Sequence, residues 1–384
     1  MREVDERPQQ AGRRSAVDRD EDDDADGHGH PVTEPYETTT SLTRVHTDEG
    51  FDGISFGGNE SVIRGIVRPL LVGRDPFFRE AIWHSMNERQ RLHKGSLSDK
   101  VLCAVDMALW DLAGKALGIP VYKLLGATRT KVPAYASTMC GDELTGGLST
   151  PQEYATFALA CKERGYPGFK LHTWQPPIDW APDPKMDIAA CAAVREAVGP
   201  EIKLMLDPFH FYSRDQARWI GKELEKLDYH WMEEPMDEQS MSSYKWLTDE
   251  LDLTVVGPET MEGKMFTRAE WIVHGASDVS RAGVGDVGGL TPLMKTIHLC
   301  EAHNVACEIH GGGPGNLAAL CAMNIPGEFY ERGLLHPFVD YEQPPPHLNS
   351  IADPLDDAGS VTVSDEPGLG WDVNWDWVEA NRVG

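Results

Sequence analysis

Strand-like and helical segments alternate along most of this chain, and that alternation restricts its possible folds more than any other feature. Strand-like runs occur at 132–137, 168–174, 201–207, 231–235, 253–259, 277–283 and 306–311. Helical patterns follow them at 151–163, 187–198, 213–227, 240–250, 268–274, 290–303 and 317–325. Such alternation implies βαβ units around a parallel sheet. Seven or eight units in about 215 residues fit a closed (β/α) barrel better than an open sheet.

The regions on either side of the predicted barrel have a different composition. Residues 18–26 (DRDEDDDAD) are nearly all acidic and lack apolar periodicity, so the segment 1–30 is predicted to be disordered. Residues 38–57 contain two short β-rich runs around Asp48-Glu49-Gly50, which predicts a hairpin. Helical patterns follow at 60–71, 76–90 and 100–118, and a tail of turns and short strands follows Pro344-Pro345-Pro346.

The charge balance excludes some classes of function. The 384 residues include 62 acidic and 35 basic side chains, for a formal charge of −27. Such a field repels phosphate backbones, so nucleic acid is not an expected partner. No apolar run reaches the 18 residues of a membrane span, and no secretory signal is visible, so a cytoplasmic location without membrane attachment is expected. Only 14 of the basic residues are lysine, a composition that suits a high-salt cytoplasm.

The seven cysteines give no sign of a disulfide framework or a zinc site. Their number is odd and none has CxxC spacing. Most lie in apolar helical or strand context, such as Cys103 in VLCAVDMAL and Cys321 in LAALCAM. They are therefore interpreted as buried, reduced thiols.

Three predicted strands end in carboxylates. Asp207 in LMLDPF, Glu233 in WMEEP and Glu259 in VVGPE are each 26 residues apart, one βα unit each. Because the carboxyl ends of barrel strands meet at one mouth, the three side chains are expected to converge. Bare carboxylates so close together repel unless protons or a cation neutralise them, and three hard oxygen ligands suit Mg²⁺. The alternative is that each acid only caps the helix that follows it.

Basic side chains end two further strands of the series. Lys170 and His172 in GFKLHTW share one face of their strand and should project together towards the mouth. A lysine beside a divalent cation has its pKa pushed down and can act as a base near neutrality. His310 in EIHGGG ends a strand on the far side of the barrel. The alternatives are a surface lysine and a hydrogen-bonded core histidine. The glycine-rich run 311–315 lacks the residues of a P-loop and is interpreted as a loop that lets backbone approach the substrate.

Taken together, these motifs resemble a known family. The segment 106–127 (DMALWDLAGKALGIPVYKLLGA), Lys170/His172, Asp207, Glu233-Glu234-Pro235, Glu259, Gly288-Gly289 and His310 occur in the order typical of the enolase superfamily. The mandelate racemase/muconate lactonizing enzyme branch is the most similar, from about residue 38 to residue 372. The resemblance implies the fold class: α/β, with a modified TIM (β/α) barrel at 131–345. It also implies an α+β capping domain formed by 31–130 and completed by 346–384.

The resemblance also implies a chemistry. Mg²⁺ is the implied cofactor, held by Asp207, Glu233 and Glu259, for a reaction that begins by removing the proton α to a carboxylate. Lys170, His172 and His310 are the implied catalytic bases and acids, His172 standing where the family usually has a lysine base. Glu331, in FYERGLL, corresponds to the glutamate that hydrogen-bonds the substrate carboxylate, and it is expected to be protonated.

Two departures from the family pattern bear on the reaction. The aspartate that usually pairs with the histidine of the second base lies five residues before Gly-Gly, where this chain has Gly283. Asp278 and Asp286 are possible substitutes, neither of them certain to reach the imidazole. A histidine without that partner should be less basic and suited to protonate a leaving hydroxyl, which favours dehydration over racemisation. His210, three residues after Asp207, is a further candidate acid, or else a polar loop residue.

The other departure is at the start of the chain. The apolar first strand of the family is missing from its expected place, which residues 14–30 occupy. Residues 27–39 could still form the loop that covers the substrate, and this would place His28 and His30 beside it.

The prediction is therefore a Mg²⁺-dependent dehydratase of sugar acids, aldonates or aldarates, that yields a 2-keto-3-deoxy acid. A racemase, epimerase or cycloisomerase on the same scaffold is the alternative, and a non-catalytic descendant is a third reading. The expected partner is a small-molecule carboxylate, and a homo-oligomer is expected from the resemblance alone.

Overall fold

A computed structural model of the chain describes residues 3–10, 39–93, 95–325 and 327–383, the first range by its backbone alone. The strands are β1 Glu3–Gln10, β2 Thr39–His46, β3 Asp52–Phe56, β4 Lys131–Thr138, β5 Gly168–His172, β6 Lys203–Asp207, β7 Trp231–Glu233, β8 Thr254–Val256, β9 Val279–Ala282, β10 Ala306–Ile309, β11 Tyr330–Leu335 and β12 Ser360–Thr362. The helices are α1 Glu60–Val62, a π-helical turn Ile63–Val67, α2 Arg68–Leu71, α3 Arg79–Gln90, α4 Asp99–Leu117, α5 Val121–Leu124, α6 Pro151–Arg164, α7 Pro184–Val198, α8 Arg214–Lys226, α9 Met241–Glu250, α10 Lys264–His274, α11 Val284–Val287, α12 Leu290–His303, α13 Pro314–Ala322 and α14 Trp375–Ala380. Within these ranges, no helix combines the length and the apolar character that a membrane crossing requires.

An antiparallel sheet, in the order β1-β2-β3, packs with helices to form the cap. The predicted hairpin at 38–57 is confirmed as β2 and β3, which pair from Leu42 with Phe56 to His46 with Asp52. Their inner face covers the long helix α4, which begins at the N-cap Ser98 and ends at Gly118 in the left-handed conformation. An apolar core joins β2, the turn at 63–67, α3 and α4.

The first strand of the cap corrects the prediction of disorder over residues 1–30. Residues Glu3–Gln10 form β1 and pair antiparallel with β2 along their whole length. The sequence pattern missed this strand because it is polar and contains Pro8, whereas an edge strand needs only backbone hydrogen bonds on one side and tolerates both features. Residues 11–30 lie outside the described ranges.

Eight parallel strands form the barrel predicted for 131–345. The hydrogen-bonded order is β10-β9-β8-β7-β6-β5-β4-β11, and seven of the strands correspond to the predicted runs. Side chains link the two end strands: Glu328 N donates to Oε1 of Glu308 at 2.7 Å, and Gly311 N donates to Oε2 of Glu331 at 2.8 Å. Helices cover the outside of the sheet. Because all eight strands run parallel, their carboxyl ends meet at one mouth of the barrel.

Large side chains close the interior of the barrel below this mouth. Tyr135, Met205, Trp231, Val256 and Phe329 form a separate buried cluster, with Val279 packed against it. The interior is therefore a packed core and not a channel, and polar chemistry is confined to the mouth.

The C-terminal tail contacts both parts of the molecule. β12 pairs antiparallel with β4 of the barrel. Leu348, Val373 and Val378 pack instead with Leu42 and Ile54 of the cap. The tail therefore ties the cap to the barrel in addition to completing the cap.

Candidate active site

Three carboxylates converge at the mouth, as the strand-end pattern predicts. Asp207 ends β6, Glu233 ends β7, and Glu259 follows β8. One oxygen of each lies within 4.8 Å of the others, and all three side chains are buried. They come from consecutive strands of one parallel sheet, which is why a regular 26-residue spacing brings them together.

The electrostatics of these carboxylates fits a divalent cation. Burial raises the pKa of Glu233 to about 8, and the negative charges of Asp207 and Glu259 add to this shift. Raising the pKa so far means that the group resists ionisation without a further positive charge. Three buried oxygen donors in a rigid barrel mouth fit Mg²⁺, which binds hard carboxylate ligands together with water or substrate.

Lys170 lies inside the ring of carboxylates. Its Nζ is 2.8 Å from Oε1 of Glu331, 3.0 Å from Oε2 of Glu233 and 3.3 Å from Oδ2 of Asp207. Burial alone would lower the pKa of Lys170, but the charges of Glu233 and Glu331 outweigh it and hold that pKa well above its ordinary value. The carboxylates around Lys170 therefore favour its charged form, because they stabilise the ammonium. The lowered pKa expected of this lysine beside a bound divalent cation stays a prediction.

His172 lies beside Lys170 on the same face of β5, as expected. Its Nδ1 is 2.6 Å from the backbone oxygen of Thr138, which only accepts, so Nδ1 carries a proton and donates it. Nε2 is then the atom that faces the site, 2.9 Å from Oδ2 of Asp207. The imidazole is almost completely buried and its tautomer is set by the backbone.

His310 has a carboxylate partner, Asp286, one of the two substitutes that the sequence left open. Its Nδ1 is 2.9 and 3.1 Å from the two carboxylate oxygens of Asp286, and its Nε2 is 3.2 Å from Oε1 of Glu259. Burial would lower the pKa of His310, but Asp286 and Glu259 hold it well above the ordinary value. The expectation of a less basic histidine is therefore wrong.

Asp286 reaches His310 because of the short helix α11. Its Oδ2 also accepts from the backbone N of Gly283, which caps that helix, at 2.6 Å. A side chain at position 283 would meet the backbone oxygen of His310 at 2.4 Å and Oδ2 of Asp286 at 2.9 Å. The usual aspartate position is thus filled from three residues further along. Asp278, the other possible substitute, accepts instead from the backbone N of Val255.

The surroundings of Glu331 favour its ionised form, whereas the prediction is of a protonated glutamate. Its Oε1 contacts Lys170, and its Oε2 accepts from Arg281 at 2.6 Å and from Gly311 N at 2.8 Å. Burial works to raise the pKa of Glu331, but the charges of Lys170 and Arg281 hold it well below the ordinary value. Both carboxylate oxygens of Glu331 are therefore already in contact with groups of the protein.

Arg281 is the site residue that the sequence pattern missed. It lies on β9 with no exposed surface and is within 2.5 Å of Oε1 of Glu233 and 3.2 Å of Oε2 of Glu259. The available signal was a charged side chain inside a strand that is covered on both faces, where an unpaired charge is very rare.

Of the three predicted substrate-binding histidines, the structure describes His210. The ring of His210 is on the rim, 40% exposed, with Nδ1 3.8 Å from Oε1 of Glu234 and beyond hydrogen-bond distance. His28 and His30 lie outside the described residues, so their contact with substrate remains a prediction.

A cavity of about 460 Å³ lies between the cap, the glycine-rich loop after β10 and the C-terminal tail, and its lining residues do not include the carboxylate triad, Lys170, His172 or His310. Gly312 and Gly313, which follow His310, line one side of it, and the approach of this loop to a substrate stays a prediction. The cap contributes polar groups from Thr39, Ser41 and Lys100. Its volume and mixed lining are typical of a small-molecule site.

Comparison with known proteins identifies the family to which the chain is similar. The family model for the enolase C-terminal domain-like fold matches residues 153–377, and that for the mandelate racemase/muconate lactonizing enzyme N-terminal domain matches residues 30–126. The crystal structure of D-glucarate dehydratase from Agrobacterium tumefaciens, complexed with magnesium, is 49% identical, with a TM-score of 0.95 and coverage of 100% of this chain and 99% of that chain. D-gluconate dehydratase of Thermoproteus tenax is 30% identical over 90% of this chain and 68% of its own length. D-xylonate dehydratase of Haloferax volcanii is 26% identical over 89% of this chain and 85% of its own length.

The matched regions include both the cap and the barrel, and the carboxylate site lies within the matched barrel. The resemblance inferred from the motifs is therefore confirmed, and the chain belongs to the enolase superfamily, in its mandelate racemase/muconate lactonizing enzyme branch.

Proposed function

We propose that this protein is a Mg²⁺-dependent sugar-acid dehydratase whose preferred substrate is a six-carbon aldarate such as D-glucarate. The observation that carries the proposal is a pair of histidines flanking the carboxylate triad, in a chain 49% identical to a D-glucarate dehydratase. His172 contacts Asp207 at one end of the triad and His310 contacts Glu259 at the other. Acid–base groups at opposite ends of one site suit a reaction that removes a proton and then donates one.

The protein groups divide the work of this reaction. Bound Mg²⁺ would supply Lewis-acid stabilisation of the negative charge that develops on the substrate carboxylate. Lys170 adds a fixed positive charge on the same side. Nε2 of His172 is assigned the removal of the proton from the carbon α to that carboxylate, which the hydrogen bond of Nδ1 to Thr138 supports because it leaves Nε2 as the nitrogen that faces the site.

His310 is assigned the second proton transfer. Its two carboxylate neighbours favour the imidazolium, so it holds a proton for the departing β-hydroxyl. The α C–H bond breaks, its electron pair forms the new C–C double bond, and the β C–O bond breaks as His310 donates its proton to release water. The resulting enol then tautomerises to the 2-keto-3-deoxy acid.

The cavity supports a dianionic substrate. Lys100 of the cap is among its lining residues and is proposed to approach the second carboxylate of the substrate. A hexarate has one carboxylate for the cation site and a second for Lys100, whereas an aldonate has only a hydroxymethyl group there. The substitution Lys100→Met should therefore raise KM for aldarates and leave KM for aldonates nearly unchanged.

A library of aldarates and aldonates tests the proposal. Incubation with Mg²⁺ in D₂O should give a semicarbazide-reactive keto acid, with D-glucarate among the best substrates. Deuterium at the α-carbon without keto product would instead show a racemase or epimerase, the alternative that two opposed histidines also permit. The absence of any turnover together with an absence of Mg²⁺ binding would favour the non-catalytic reading.

A homo-oligomer remains a prediction from family resemblance. Light scattering coupled to size-exclusion chromatography tests it directly, and a single-chain mass would reject it.

A further inference from the structure

One buried residue connects most of the site without any assigned role. Arg281 lies on β9 with no exposed surface, one layer above the apolar floor of the barrel, where Val279 of the same strand packs. A fully buried guanidinium is costly unless every donor finds an acceptor. The acceptors that Arg281 contacts therefore indicate its role.

The donors of Arg281 reach five other residues, each from a different strand or strand end. Nε contacts Oε1 of Glu233 at 2.5 Å and Oε2 of Glu259 at 3.2 Å. Nη2 donates to Oε2 of Glu331 at 2.6 Å and to the Tyr135 hydroxyl at 3.2 Å, and Nη1 donates to the backbone oxygen of Ile309 at 3.2 Å. A planar fork with fixed directions thereby sets two carboxylates of the triad relative to β4, β10 and β11.

Arg281 and Lys170 together form a closed ring of alternating charges with two glutamates. Glu233 gives Oε1 to Arg281 and Oε2 to Lys170, while Glu331 gives Oε1 to Lys170 and Oε2 to Arg281. Both oxygens of each glutamate thus contact a cation, but the contact of Arg281 Nε with Oε1 of Glu233 is an ion pair only, since Nε donates its hydrogen bond to Glu259.

The charges would also balance around a bound cation. If Asp207, Glu233, Glu259 and Glu331 are all ionised, Lys170 and Arg281 neutralise two of the four charges and a divalent cation would neutralise the other two, while His310 and Asp286 form a pair of their own. Without Arg281 the mouth would keep an uncompensated buried negative charge, and the second oxygen of Glu331 would keep only the backbone N of Gly311 as its partner.

We propose that Arg281 is a positioning residue that holds Glu233 and Glu259 in the geometry that binds the metal. This inference rests on the proposed function only in taking the triad as a Mg²⁺ site. Outer groups that orient metal ligands typically contribute about 10- to 100-fold in metal affinity.

The test is metal affinity in Arg281→Lys and Arg281→Met, measured by calorimetry with Mg²⁺ and by electron paramagnetic resonance with Mn²⁺. Both variants should bind each metal about 10- to 100-fold more weakly, with an altered Mn²⁺ spectrum, since neither substitute has the planar fork. Arg281→Lys decides the question if Arg281→Met does not fold, because it keeps the charge and most of the stem.

Arg332→Lys is the matched control. Arg332 is equally buried on β11, but it bonds Tyr166, Glu342 and the backbone of Asp353, away from the triad. It should lose stability and keep wild-type metal affinity. Wild-type affinity and spectrum in folded Arg281→Lys would overturn the proposal, as would equal losses of affinity in Arg281→Lys and Arg332→Lys. Because binding is measured without substrate, the result does not depend on whether the protein dehydrates a sugar acid.

Discussion

The two sides of the barrel mouth use the same side chain in different ways. On the β5 side, His172 is buried and its Nδ1 donates to an uncharged backbone oxygen. On the β10 side, His310 is one-third exposed and its Nδ1 contacts a carboxylate. A carbonyl orients an imidazole, whereas a carboxylate also raises its basicity. The partner of Nδ1 therefore distinguishes the two histidines and supports the proposed role of His310 as the acid, while Nε2 of each histidine contacts a carboxylate of the triad.

The buried aspartates behind the two sides differ in the same way. Asp286 is paired, and although burial works to raise its pKa, the charge of His310 lowers it below the ordinary value. Asp187, on α7 behind the β5 side, has only hydroxyl partners, including Tyr212 at 2.6 Å, and burial raises its pKa to about 7. Asp286 therefore contacts a residue of the site, whereas the burial of Asp187 lowers the stability of the fold whenever that carboxyl is ionised.

The largest expected effect comes from removing either histidine. His172→Asn and His310→Asn should each lower kcat by about 10²- to 10⁴-fold, since each removes one proton transfer. The two variants should differ in D₂O: His310→Asn retains exchange of the α-proton without forming keto acid, and His172→Asn loses both. Exchange preserved only in His172→Asn would reverse the assignment of the two roles.

Removing a metal ligand at either end of the triad should have the next largest effect. Asp207→Asn and Glu259→Gln should lose the rise in Tm that Mg²⁺ gives the wild type, worth about 2.7 kcal/mol at a concentration of 100 Kd. A chelator should remove that rise from the wild type and leave both variants unchanged. A full Mg²⁺-dependent shift in both variants would contradict the assigned ligands.

A smaller effect is expected from Asp286→Asn. The amide keeps an acceptor for Nδ1 but removes the charge that holds the pKa of His310 high, so that pKa should fall. If His310 acts as the acid, activity should be lost at a lower pH than in the wild type, and kcat should fall by about 10- to 100-fold at neutral pH. The pH profile of kcat checks this, with Asp187→Asn as the control that leaves the profile in place.

The smallest effect concerns stability alone. Because the folded pKa of Asp187, about 7, exceeds its unfolded value of 3.8, the folded state binds the extra proton between these values. Its contribution to stability is therefore full below about pH 4 and declines as the pH rises to about 7. Asp187→Asn should flatten this decline and stabilise the protein by a few kcal/mol at pH 8. Urea unfolding at pH 5 and pH 8 measures it, and an equal change at both pH values would contradict the buried charge.

Much of the site was predictable because it follows from local rules. The triad and the Lys170/His172 pair lie at the ends of regular strands, so alternation of side chains and convergence of parallel strands place them correctly. The partners were less predictable. Asp286 reaches His310 through the short helix α11, and no periodic pattern marks that contact.

What the sequence by itself determined is the barrel, the cap hairpin, the carboxylate triad and the family, because each depends on periodicity or on spacing along the chain. The tertiary structure alone decided the polar edge strand β1, the contacts that favour the charged forms of Lys170 and Glu331, and the ring that Arg281 closes. The physical reason is that these depend on distance in space: charges 2.5–3.3 Å apart in a buried mouth set each other's ionisation, whereas their separation along the chain carries no such information.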